Sequence, residues 1–221
     1  MEFKGVLFEG WLWWLALTTG LACTALAGWH APWRRLMAKG RFNVWCGAIL
    51  ALMLLWLLRT EVVPGLEFHL LCATSLTLMF GWSLALLGIA LALLGISLAG
   101  WSDWHNYPFN FVSLGLLPVS LSYFSLLVAR TFLPKHFFIF IFINAFITAG
   151  LVLILSGYAT TALLVLAGHS SYQALESSVM PFFPMMFFPE AMLNGWIMTL
   201  LVVFRPEWVY SFRDEEYLER P

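Results

Sequence analysis

The chain has 221 residues, 62% of them hydrophobic and only 10% charged, against about 25% charged in a soluble domain. So little polar surface cannot clothe a water-soluble globule, and the composition predicts an all-α, polytopic membrane helical bundle. A formal net charge of −1 leaves no electrostatic footprint for nucleic acid.

The chain begins MEFKGVLFEG, which lacks the basic start of a secretory signal, so a retained first membrane helix is expected. Segment one runs from about Trp11 to Trp29, with tryptophans at both ends as interfaces favour. The most basic stretch, HAPWRRLMAKGRFN, follows. Segment two covers about Val44 to Leu58, its short span extended by a snorkelling Arg59. The apolar run from Phe68 to Ala99 would be about 48 Å as one helix, too long for a hydrocarbon core of about 30 Å. FGW at Phe80 to Trp82 is the expected break, giving a short third segment, His69 to Phe80, and a fourth, Ser83 to Ala99. After the polar loop WSDWHNYPFN come segment five, about Phe111 to Val128, and segment six, about Phe137 to Leu155. Residues 157–168 read as a half-inserted or surface-lying helix. Segment seven, about Val179 to Phe204, leads into a charged tail, 205–221. The chain is thus read as one integral membrane domain of about seven transmembrane segments. Seven crossings put Arg34, Arg35, Lys39 and Arg41, then Arg130 and Lys135, then Arg205, Arg213 and Arg220 on one side. The positive-inside rule makes that side the cytoplasm. The N-terminus is then outside, with Glu67, His69, Asp103, His105, His169 and Glu176 near the outer face. The expected location is the bacterial inner membrane.

Four residues are candidate metal ligands. His69 stands at the lip of an apolar run, where it is either a helix anchor or a ligand aimed between helices. Asp103 and His105, with the amides of Asn106 and Asn110 nearby, offer a mixed nitrogen and oxygen set for a divalent ion, or an ordinary polar loop in a tryptophan belt. Glu190 lies inside segment seven, with Asn194 one turn on; a carboxylate at membrane depth faces protein or water. Pro184 and Pro189 remove helical N–H groups beside it, as at binding sites on broken helices. A helix-to-helix hydrogen bond accounts for Glu190 equally well. Glu9 and Glu67 join Asn106, Asn110 and Asn194 as possible pocket-lining residues. The methionines of segment seven read as packing groups more readily than as a copper site. Three cysteines, Cys23, Cys46 and Cys72, form no C-x-x-C pair and read as buried thiols. No phosphate-binding glycine loop or hydrolase motif occurs, so no catalytic residue or resident cofactor is assigned and the chain is not read as an enzyme.

Several patches resemble one family. LFEGWLWW is similar to an opening acidic-Gly motif, GLEFHLL to a Gly-x-x-x-His-Leu-Leu motif that begins the third helix, and DWHNYPFN to a loop ending in an asparagine; FPEAMLNG is a looser match. Together they resemble the CbiM/NikM-like substrate-binding membrane components of energy-coupling factor transporters, over roughly residues 5 to 200. The resemblance implies a helical bundle with an outside N-terminus that captures nickel or cobalt from outside. It also implies work with other membrane subunits and a separate cytoplasmic ATPase. In that family a histidine directly after the initiator methionine is one ligand and the motif histidine, here His69, another. Aligning Glu9 and Gly10 on the opening motif puts Leu7 where the first histidine belongs, behind a five-residue extension, MEFKG. His105, Asp103 or Glu190 would then have to replace the lost donor. The alternatives are an accessory or assembly subunit of a larger membrane complex, and an intramembrane enzyme using His69, Asp103 or Glu190.

Overall fold

The computed structural model describes residues 2–3, 8, 10–38, 40–63, 66–213 and 217. Its long helices follow the apolar segments. α1 is Trp11–His30, α3 Arg41–Trp56, α4 Ala73–Leu98, α5 Tyr107–Phe132, α6 Phe137–Leu166 and α8 Phe182–Phe204. Short helices α2 (Trp33–Leu36) and α7 (Tyr172–Ser178) connect them. Among the described residues, α1, α4, α5, α6 and α8 are long and apolar enough to cross a membrane. α3 has sixteen residues, about 24 Å at helical rise. The molecule is a multi-pass membrane protein.

α4 occupies the centre of the bundle. Its length resolves as expected at FGW: Gly81 adopts φ 79° and ψ 172°, outside helical space. Glycine alone enters that region cheaply, and a Cβ there would also lie 3.4 Å from the Tyr210 ring. The first part, 73–80, is roughly two turns long and buried at every residue, so neighbouring elements of the protein shield most of it from bulk lipid. Its two ends are anchored differently. Glu190 holds the entry, through the N–H groups of Leu71 and Cys72. At the exit, the chain after α8 donates to it: Tyr210 N–H to the Met79 carbonyl at 2.9 Å and Ser211 N–H to the Leu78 carbonyl at 3.1 Å. Arg130 at the end of α5 clamps the Ser211 carbonyl at 2.7 Å, and Arg35 lies over the Tyr210 ring.

The structure corrects the reading of 157–168. That stretch is neither half-inserted nor a separate surface helix, but the continuation of segment six within the thirty-residue α6. Glycines explain why it stays in the bundle: Gly150 and Gly157 make room for the rings of Phe187 and Phe183 from α8, the close approach that small residues permit between membrane helices. Pro189 is accommodated inside an uninterrupted α8, so the expected break at the prolines does not occur.

One feature had no counterpart in the sequence reading. A small antiparallel sheet, in the order β1-β3-β2, joins β1 (Glu2–Phe3), β2 (Thr60–Val63) and β3 (Leu66–Phe68). Glu2 stands opposite Glu67 and Phe3 opposite Leu66. Phe3 is fully buried, in a cluster with Phe8, Phe68, Phe109 and Phe183, a burial worth roughly 1.5–3 kcal/mol. Asn110 pins the strand by accepting the Phe3 N–H at 2.7 Å and donating to the Phe3 carbonyl at 3.0 Å. This end of the bundle lies at the entry of 73–80, away from Arg35, Arg130 and the Tyr210–Ser211 segment.

Candidate metal site

The sheet brings Glu2, Glu67 and His69 together, and Arg59 closes the group. Arg59 leaves the end of α3 and is only 7% exposed, so it does not snorkel to an interface as expected. Its Nη1 donates to Glu67 Oε2 at 2.8 Å and to Glu2 Oε2 at 3.1 Å, and its guanidinium lies over the Trp101 ring. Two like charges facing each other across a strand pair repel, and the shared arginine offsets that repulsion. Its Nε and Nη2, also buried, find no partner among the described residues.

His69 is fully enclosed at its side chain. Its Nδ1 lies 3.1 Å from the Leu70 carbonyl. A carbonyl only accepts, so this contact assigns the ring proton to Nδ1 and leaves a lone pair on Nε2. Nε2 lies 3.8 Å from Glu2 Oε2 and has no hydrogen-bond partner among the described residues. Burial pushes the His69 pKa well below its ordinary value, with the Arg59 charge adding to the effect, so the ring is neutral at neutral pH. Burial also pushes the Glu2 carboxyl up, opposed by the Ser102 hydroxyl and Arg59. A backbone carbonyl orienting one imidazole nitrogen while the other is free is the arrangement found behind metal-ligating histidines. Two donors bound to one ion at about 2.0–2.2 Å each can be no more than about 4.4 Å apart, and the observed 3.8 Å lies inside that limit. The indole of Trp56, 5.1 Å from the imidazole, walls the remaining side.

The other expected residues take different places. His105 Nε2 meets the Phe8 carbonyl at 2.8 Å, and its ring stacks on Trp13. The Asp103 backbone carbonyl accepts the Asn106 N–H at 3.2 Å. Asn110 is spent on Phe3, and Asn106 is fully buried at the start of α5. Among the described residues, no three His, Cys, Asp or Glu side chains converge on a common point, so His105, Asp103 and Glu190 do not assemble around His69. Glu190 instead accepts the Leu71 N–H at 2.7 Å on one oxygen and the Cys72 N–H at 2.8 Å on the other. Asn194 donates to Glu190 Oε1 at 2.8 Å and accepts from the Ser75 N–H and hydroxyl. Cys72 has φ 51°, a left-handed conformation costing roughly 1–2 kcal/mol, and Glu190 holds it there. Glu9 and Leu7 lie outside the described residues.

Glu2 and Arg59 are the residues the sequence reading missed. In the structure the carboxylate beside His69 Nε2 is that of Glu2, at 3.8 Å.

Comparison with known proteins bears on the fold and the family. Two solved structures share the fold. A transition metal transporter matches with a TM-score of 0.75 at 15% identity, covering 91% of this chain and 92% of its own. A truncated transition metal transporter matches with a TM-score of 0.72 at 15% identity, covering 92% and 99%. No curated protein matches in sequence. The family profile described as "Cobalt uptake substrate-specific transmembrane region" matches residues 5–208, nearly the whole chain. The chain therefore belongs to the CbiM family, the substrate-specific membrane components of metal uptake.

Proposed function

We propose that this protein captures a divalent transition-metal ion between His69 Nε2 and the Glu2 carboxylate, at the bundle end that carries the sheet. The observation that carries this reading is the buried Nε2 lone pair, without a hydrogen-bond partner among the described residues and beside a carboxylate, in a chain whose family takes up cobalt. The electrostatics suit a cation. Two carboxyl groups, Glu2 and Glu67, share the one Arg59 guanidinium. The donor set is one imidazole and one carboxylate, which tolerates nickel, cobalt or zinc and is harder than an all-nitrogen site. We place this end outside and the Arg35–Arg130 end in the cytoplasm, by the positive-inside rule; 205–221 is then a cytoplasmic tail. The sequence holds no nucleotide-binding loop, so uptake draws its work from a separate cytoplasmic ATPase joined through other membrane subunits.

Elemental analysis tests the site. Protein purified without chelator or a nickel column should carry near-stoichiometric metal, lost in His69→Ala and in Glu2→Ala. Metal retained in both variants would overturn the assignment. A second reading rests on Arg59, a resident cation already serving both carboxylates. If its guanidinium permanently replaces the ion, the protein is an accessory subunit, and no metal will be found in any form.

A further inference from the structure

A long apolar cleft of about 820 Å³ opens between α3 and α8, floored by 73–80 of α4. Val44, Gly47, Ala48 and Ala51 form its α3 wall. A Cβ on Gly47 would meet nothing within 4 Å, so the small residues leave the space open instead of seating a neighbouring helix. From Asn43 to Leu55 the cleft follows α3 for about 18 Å. That is close to the depth of one leaflet, about half of a 30 Å core.

The cleft changes character at one end. Val44, Met79 and Trp208 also line a second, small cavity whose other walls include Arg35, Arg41 and Tyr210. Neither arginine pairs with a carboxylate among the described residues. Arg35 has its pKa lowered by burial and then by the neighbouring charge of Arg41. Two mutually repelling cations, neither with a carboxylate partner among the described residues and Arg35 resting on the Tyr210 ring, therefore sit at the mouth of an acyl-length apolar cleft. Basic pockets between helices bind anionic headgroups in this way.

We propose that the cleft is a binding site for one anionic phospholipid, with acyl chain against Gly47, Ala48 and Ala51 and phosphate between Arg35 and Arg41. Charge complementarity favours this occupant over a partner's apolar helix, which would leave the arginines unanswered. The lipid seals the flank of 73–80 as far as Cys72, which also lines the cleft.

The test uses the full chain in dodecyl maltoside, titrated with phosphatidylglycerol or phosphatidylcholine and followed by thermal unfolding. Phosphatidylglycerol should act at roughly tenfold lower concentration, and the preference should vanish in Arg41→Gln and in the Arg35→Gln, Arg41→Gln double variant. Gly47→Phe, which fills the cleft, should abolish the response to both lipids. Equal action of the two lipids on the wild type, or an unchanged preference in Arg41→Gln, overturns the proposal. A photoreactive side chain at Gly47 in intact membranes should crosslink to lipid, and crosslinking to a polypeptide would assign the cleft to a partner helix instead.

Discussion

Two buried carboxylates in this molecule are built in opposite ways. Glu190 is surrounded by donors: each oxygen takes a backbone N–H, and Asn194 adds a further bond. Glu2 shares a single arginine nitrogen with Glu67 and faces an imidazole lone pair that has no proton to offer. The first is a completed structural knot. The second leaves bonding capacity unused beside a buried lone pair, and that is why the proposed ion is placed there. Burial is common to both carboxylates; the state of their hydrogen bonds is what sets them apart.

Breaking the knot should have the largest effect. Glu190→Ala strands the N–H groups of Leu71 and Cys72 in the interior and should lower stability by about 3 kcal/mol, seen as an early thermal transition in detergent. Glu190→Gln, which still accepts one bond, should fall between. If Glu190→Ala unfolds like the wild type yet loses metal, the contrast drawn here is wrong and Glu190 is a ligand. His69→Ala and Glu2→Ala should do the reverse, weakening metal binding by about 100-fold or more, the scale of about 2.7 kcal/mol, with a smaller change in melting. Titration calorimetry beside a melting curve separates the two classes. Arg59→Gln removes the competing cation and should tighten metal binding by about tenfold, roughly 1.4 kcal/mol. Weaker binding in that variant would make Arg59 a support for the ion and not its rival. The smallest effect is on pH. Protons compete with a metal for its ligands, and burial raises the Glu2 pKa. Metal affinity should therefore fall on acidification already above the usual carboxylate range. In Glu2→Gln any residual binding should lose that part of the pH dependence.

Much of the bundle was legible because its signals are local. The apolar segments gave the helices, and the excessive run from Phe68 gave the break at Gly81. Glu190 and Asn194 announced themselves as polar groups one turn apart in an apolar helix, although composition could not say whether they bind a ligand or each other. The site was less legible because its partners are distant in sequence. A two-residue strand has no periodicity to detect, and the pairing of Glu2 with Glu67 exists only once the chain has closed on itself. His69 was found through GLEFHLL. Glu2 was set aside because the acidic-Gly pattern at Glu9 drew the alignment instead. Arg59 was misread for a similar reason. An arginine at the end of a short apolar helix resembles a snorkelling anchor until the hairpin that follows folds back over it.

The two-turn stretch 73–80 joins the sheet end of the bundle to the chain that follows α8. Buried at every residue and bonded at both ends, it has little slack, although one flank floors the cleft between α3 and α8. A helix held in this way behaves as a tie rod: a shift of its first anchor, at Leu71 and Cys72, would be delivered to Tyr210 and Ser211 at the other end.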